Sequence, residues 1–451
     1  MTELQRLLVT GDIVLRDRIL RDGFVLIEGE RIIGVFGTPP SHERRTTVLD
    51  FSGKYVVAGL VDSHVHTQSS SLEGFGRASR GAAVGGVTTI IDMPFDSSAP
   101  VRSEARFIEK TREIETDSIV DVGLFATIGK DGDLSEVDAL VALGACGFKL
   151  SMQEGDPARL PRLSLATLYR VFDRLAPKGV PIVIHAENED LLNWFRRGQT
   201  NTDLAAHGRS RPLITETVAI AEALELALGT GARVHIAHVT HPHGFELITA
   251  FTEMGARVSG ELCVHYLALT DEDDVARLGP RAKVNPPLRD TRAREGLWHE
   301  LRLGRVATIS SDHAPWPAPA KARPMLEASP GVPGLETLVT VLVTESLNRG
   351  FDIADTLSYV TWRPARLFGL DNRKGSLEVG KDADFCVLEL GQTETVDGSQ
   401  SHSVARWSAF DGREVSVRVV RTFLRGKEVA RDGRVTGEGG GGEWLGRTVN
   451  G

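Results

Sequence analysis

Six side chains able to hold a metal or move a proton recur at matching places in a repeating pattern. His64 and His66 close the run Gly59-Leu60-Val61-Asp62-Ser63-His64-Val65-His66, and Lys149 lies in Gly147-Phe148-Lys149-Leu150. His185 ends Ile182-Val183-Ile184-His185, His238 ends Ile236-Ala237-His238, and Asp312 follows Ile309-Ser310-Ser311. Two histidines at i and i+2 on an extended segment face the same way, so one cation can take both imidazoles. Four histidines and a carboxylate exceed what one tetrahedral zinc needs while keeping a position open. The set therefore predicts two divalent ions, zinc foremost. Lysine is the odd member, because an ammonium has no lone pair to donate. Lys149 fits as a carbamate formed with carbon dioxide, an anion whose two oxygens could bridge two cations. Taken singly, each element has an ordinary reading: a packing histidine, a strand-end surface charge, a turn or N-cap at Ser311-Asp312. The weight lies in their joint placement.

That placement follows from the elements around them. Between about Val56 and Leu370, short apolar runs alternate with segments of helical period, the signal for a parallel sheet flanked by helices. The expected strands are Val56–Val61, Thr88–Met93, Val120–Thr127, Gly147–Ser151, Pro181–His185, Arg233–Val239, Arg257–Leu262 and Arg305–Ser310. Helices are expected at Ser103–Thr116, Ser164–Ala176, Thr215–Leu228 and Gly334–Asn348, among others. Eight such units make an α/β fold, a (β/α)8 barrel, whose strand C-termini converge on one face. All six residues fall at or near those ends. Residues 1–55 and 371–436 read as short strands and hairpins, such as Phe24–Ile27 and Ile32–Phe36 around Glu28-Gly29-Glu30, and predict a small β-sandwich built from both termini. The barrel is thus expected over 56–370, and the glycine-rich 437–451 as a flexible tail.

Composition narrows the function classes. The chain has 451 residues, 41% hydrophobic and 25% charged, which excludes wholesale disorder. A formal charge of −9 argues against nucleic acid as a partner. No apolar stretch approaches the ~20 residues of a membrane span, and the N-terminus lacks a signal-peptide pattern. Cys146, Cys263 and Cys386 are too scattered for a disulfide framework, so a cytoplasmic protein is expected. Other polar residues take structural readings. His241 or His243 is expected to cap a helix, His265 to pack, and His207 to sit in a solvated loop, Ala206–Pro212. Glu187 is expected to partner a ligand or an ion pair.

Together these residues resemble the amidohydrolase superfamily, in particular its cyclic amidohydrolases: allantoinases, hydantoinases and dihydroorotases. The resemblance runs from Ile27-Glu28-Gly29-Glu30-Arg31-Ile32 to Gly375-Ser376-Leu377-Glu378-Val379-Gly380-Lys381-Asp382-Ala383-Asp384. It implies that His64 and His66 bind the more buried metal, that carboxylated Lys149 bridges, and that His185 and His238 bind the second metal. Asp312 would ligate the first metal and shuttle the proton while a hydroxide between the ions attacks. Glu73-Gly74-Phe75, Gly85–Thr89, Asp92-Met93-Pro94 and Glu261–Leu267 are most similar to allantoinases. Asn285-Pro286-Pro287-Leu288-Arg289 and Gly331–Glu336 resemble the loops that hold the ring's amide through backbone atoms. Specificity is expected from Gln68–Phe75, Gln153–Arg159 and Trp316–Pro330, and with the two ring-holding loops this makes Gln68, Asn285 and Gly331 the candidate substrate-binding residues. Three departures stand out. Thr67–Ser71 replaces the arginine that dihydroorotases place after His-x-His, no tyrosine follows Lys149 at Met152-Gln153-Glu154, and the acidic-Pro-Gly-Arg stretch of many allantoinases is missing. The implied reaction is hydrolysis of a C–N bond in a small cyclic amide or ureide by a homo-oligomer, tetramer or dimer. The alternatives are a dihydroorotase-like or cyclic-imide hydrolase, an acyclic deacylase, and a non-catalytic scaffold.

Overall fold

A computed structural model describes residues 5–41, 46–97, 99–201 and 203–448. The chain opens with β1 (Arg6–Val14), β2 (Ile19–Glu28), β3 (Arg31–Phe36) and β4 (Thr47–Ala58). The barrel strands follow: β5 (Leu60–Val65), β6 (Val87–Asp92), β7 (Asp121–Ala126), β8 (Gly147–Ser151), β9 (Ile182–His185), β10 (Val234–Ile236), β11 (Val258–Cys263) and β12 (Thr308–Ser310). They pair in parallel and in sequence order. Just beyond the strand ends, Val65 bridges His313, and the His66 N–H donates to the His313 carbonyl at 2.8 Å, which brings the two edges together. Every residue of β5 to β9 is buried, which explains their nearly continuous apolar runs.

Helices cover the outside, most of them burying one stripe, while Leu338–Asn348 is buried on nearly all sides. Leu165–Leu175 starts at Ser164, whose side chain accepts from the Thr167 N–H, and it buries Leu168, Val171, Phe172 and Leu175. That spacing of three and four is the periodicity read from the sequence. His241 does cap a helix: its ring accepts from the His243 N–H at 3.1 Å at the start of Pro242–Glu253. No described helix is long and apolar enough to cross a membrane.

The chain returns through β13 (Phe385–Thr395), β14 (Glu414–Leu424), β15 (Lys427–Arg431) and β16 (Arg434–Val435). These join the first four strands in one sheet of order β16-β15-β14-β13-β4-β1-β2-β3. The sheet is continuous, and Val9, Ile27, Val56, Phe385 and Phe423 from its different parts share one core. The first barrel strand needs a correction. Val56–Ala58 belongs to β4, paired with β1 and β13, and the barrel begins only at Leu60. The switch falls at Gly59, where a Cβ would lie 2.1 Å from the Thr88 hydroxyl. An unbroken apolar run thus conceals a change of sheet.

The tail also differs from expectation. The Gly442 N–H donates to Ser118 O, the Val122 N–H donates to Glu443 O, the Leu445 N–H donates back to Val122 O, and Trp444 stacks edge-on against Phe107 at 5.8 Å. Leu445 is buried, so the apolar pair after the glycines anchors the segment as far as Thr448. Residues 449–451 lie outside the described residues.

The same region holds a buried ionic cluster that ties barrel to sheet. Lys374 meets Asp121 closely and reaches Asp384 at 2.6 Å and Asp382 at 2.8 Å, while Arg425 lies 2.6 Å from Asp121. Removing one partner of such a cluster strands the others in a low-dielectric interior. Lys374→Met is expected to lower unfolding stability by roughly 3–5 kcal/mol. A denaturation midpoint equal to wild type would contradict this.

Candidate metal centre

The C-terminal ends of the strands carry the chemistry. His64 lies in β5 with His66 one residue beyond it, Lys149 is the middle residue of β8, and His185 ends β9. His238 and Asp312 each stand two residues past a strand, at φ 41° and 46°. Left-handed backbone is uncommon for such residues and is kept only where surroundings enforce it. Here the neighbours do so: the Val239 N–H donates to Glu261 O at 2.9 Å, and the Ser311 N–H to the Asp62 carboxylate at 3.2 Å.

Buried carboxylates fix which face each imidazole presents. The His64 Nδ1–H donates to Glu261 at 2.7 Å, leaving the Nε2 lone pair toward the cavity. The His185 Nε2–H donates to Glu187 at 2.8 Å, leaving Nδ1 free, and Glu187 is held in turn by Arg211 at 2.5 Å. Burial would raise both acids, yet Arg211 and His185 hold Glu187 below the usual carboxylate range, and His64 does the same for Glu261. Burial opposes ionisation of Asp312 too, but His64 and His66 prevail and keep it anionic.

The free donor atoms then form two groups. His64 Nε2 and His66 Nε2 each lie 3.3 Å from the same Asp312 oxygen, and His185 Nδ1 lies 3.0 Å from His238 Nε2. The rings of His64 and His238 are 5.5 Å apart, so the groups adjoin. Donors bonded at ~2.05 Å to a tetrahedral cation sit about 3.3 Å from one another. The observed separations match that edge length, and the donor set fits divalent cations. Lys149 Nζ is buried without a hydrogen-bond partner, and burial pushes its ammonium down to about 8 against the pull of Asp312 and Glu261.

These groups open into a cavity of about 310 Å³, the size of a small-molecule site. All six expected ligands line it, as do Asn285 and Gly331. Asn285 Oδ1 is buried and unpartnered there. Gly331, at φ +119°, comes so close to Ala314 that a Cβ would lie 2.4 Å from that methyl. Its N–H donates to Lys283 O at 2.8 Å, and its carbonyl accepts from the buried Lys321 at 2.9 Å with one lone pair left. Gln68 does not line the cavity. Its amide donates to Glu113 at 2.9 Å, while Ser69, the next residue, lines the cavity instead.

Several residues escaped the sequence reading. Glu261 orients His64, and its presence in a buried strand was a signal, since a lone acid there needs a partner. Phe95 and Leu160 form apolar wall with no sequence signal to mark them. The segment read as a solvated loop is a short helix, Ala206–Ser210, with a buried face: His207 bonds the Val284 carbonyl at 2.9 Å, and Arg211 reaches Glu187, while Arg209 stays exposed. Short polar stretches look alike whether they meet solvent or a buried acid. His265 is packed as expected, buried beside Asp312.

Known proteins resemble this chain over nearly its whole length. L-hydantoinase from Paenarthrobacter aurescens is 34% identical over 453 residues, covering 98% of this chain and 96% of the relative. Allantoinase from Deinococcus radiodurans is 33% identical over 444 residues, covering 94% and 97%. The solved L-hydantoinase (dihydropyrimidinase) from Arthrobacter aurescens superposes with a TM-score of 0.93 at 34% identity, covering 98% of this chain and 99% of that one. The sequence model of the Amidohydrolase family matches residues 55–429, which spans the barrel together with β13 and β14. With its metal-binding groups gathered at the mouth of a parallel barrel, this chain belongs to the amidohydrolase family.

Proposed function

We propose that the chain opens five-membered cyclic ureides by hydrolysing a ring C–N bond, with allantoin the specific substrate. The observation that supports this most is the convergence of four imidazoles, Lys149 and Asp312 on one small-molecule cavity. His64, His66 and Asp312 would hold one divalent cation, His185 and His238 a second, and Lys149 would link them as a carbamate. With burial lowering Lys149 to about 8, part of it is neutral amine near neutral pH, the form that adds to carbon dioxide. Zinc-like ions held there would supply a nucleophilic water near neutral pH and polarise the scissile carbonyl.

The chain's own groups do the rest. Asp312, kept anionic by His64 and His66, accepts the proton of the attacking water and returns it to the ring nitrogen as the C–N bond breaks. That transfer matters because an amide anion is a very poor leaving group. Asn285 Oδ1 and the Gly331 carbonyl are positioned to accept ring N–H groups and so orient the ring. Arg159 lines the cavity, but it is engaged by Asp156 at 3.3 Å and by the Ser69 carbonyl at 3.0 Å. Phe95, Leu160 and Trp316 in the wall favour a second reading, a hydantoin with an apolar 5-substituent.

We carry a homo-oligomer and a cytoplasmic location with this reading, the latter supported by three buried unpaired cysteines. A hydrolysis panel tests the substrate: allantoin, 5-benzylhydantoin, dihydrouracil, dihydroorotate and succinimide, offered to zinc- or manganese-loaded enzyme. Allantoin turnover that chelation abolishes and metal restores is the expected result. Preference for 5-benzylhydantoin would favour the second reading, and no ring opened by metal-loaded protein would contradict both.

A further inference from the structure

Lys321 is a buried lysine with no carboxylate beside it. It ends the short helix Ala318–Lys321, is 2% exposed, and points its ammonium into backbone. Its Nζ donates to Lys283 O at 3.0 Å, Ser329 O at 2.9 Å and Gly331 O at 2.9 Å. An ammonium has three N–H groups and no acceptor, so three carbonyls satisfy it completely. The ring of Trp407 lies 5.7 Å from the same nitrogen, and the Trp407 indole N–H donates to Trp316 O at 2.9 Å. Trp316 in turn donates to Pro330 O at 2.6 Å. Trp316 and 329–331 form one wall of the cavity, and Lys283 is two residues before Asn285.

We propose that Lys321 is a positioning residue for ring binding: its ammonium, clasped by three carbonyls beneath Trp407, fixes the spacing between segments 283–285 and 329–331. The proposal rests on the reading of the cavity as a ring-binding site. A buried cation costs free energy unless its donors are met, and three carbonyls from two segments meet them only when both segments stand at the observed distance. The gap between Asn285 Oδ1 and the Gly331 carbonyl follows from that distance. Trp407 belongs to the connection between β13 and β14, so the terminal sheet presses on this wall from outside. The connection is itself held down, with the Ser401 hydroxyl and the His402 N–H donating to Glu336 at 2.6 and 2.7 Å.

Lys321→Met leaves an unbranched side chain one atom shorter and removes all three donors. Groups that hold the ring in ground and transition states alike report through KM. Loss of a charged hydrogen-bond set is expected to raise KM for allantoin about tenfold or more, with kcat and metal content little changed. Amide exchange in the metal-loaded protein should quicken at 283–285 and 329–331 and stay as in wild type over 147–151 and 182–185. A merely structural lysine would alter exchange throughout, or lower kcat and metal content together, and either result overturns the proposal, as does an unchanged KM with unchanged exchange. Lys321→Gln, which retains two N–H donors, is run alongside and decides by the same readouts should the methionine variant not fold. If wild type opens no ring, the functional reading fails while the exchange data still decide whether Lys321 pins the two segments.

Discussion

Asp312→Asn is expected to lower kcat by about 10³-fold, within the 10²–10⁴ range of a lost general base and acid, while keeping most of the bound metal. The asparagine oxygen can still face His64 and His66, from which the native carboxylate lies 3.3 Å. What it cannot do is accept a proton in the first half of the reaction and deliver it to the leaving nitrogen in the second. KM should move little, since Asp312 is not assigned to hold the ring. Steady-state kinetics with metal analysis on the same preparation checks this. Turnover close to wild type would remove Asp312 from the proton path, and loss of metal in proportion to activity would recast it as a ligand alone.

Lys149→Ala is expected to lower both metal content and turnover, the latter on the order of 10³-fold, comparable to loss of a strong electrostatic partner in a catalytic site. The truncation empties space beside His64 and His238, the two imidazoles that Lys149 acts on electrostatically. If the side chain works as a carbamate, the missing function is that of a carboxylate. Added acetate should restore part of the activity and metal, whereas methylamine should restore neither. Lys149→Arg should stay inactive, because guanidinium keeps the positive charge and offers no lone pair. Rescue by the amine, or full activity in the alanine variant, would contradict the bridging role.

Much of the convergence was readable because side chains at or near the C-terminal ends of parallel barrel strands share one face. His185 and Lys149 stand on strands whose apolar runs have clear limits. Glu261 and Arg211 were harder to find, since their roles depend on partners far away in sequence: Glu261 meets His64, 197 positions away, and Arg211 meets Glu187 across 24. Gln68 is expected in the cavity from the loop Gln68–Phe75, but its side chain pairs with Glu113 and it is Ser69 of that loop that lines the cavity. The sheet change at Gly59 left no mark in hydropathy because both strands it joins are buried there. The docked tail was masked by its glycines, although Trp444 and Leu445 carry the packing.

A crystal structure of the zinc-loaded protein, with data collected at the zinc absorption edge, tests the central claim most directly. Two anomalous peaks are expected, one among His64, His66 and Asp312 and one between His185 and His238, with density extending from Lys149 Nζ as a planar carboxylate that touches both. A bare Lys149 amine with no anomalous peak in that cavity would contradict the account.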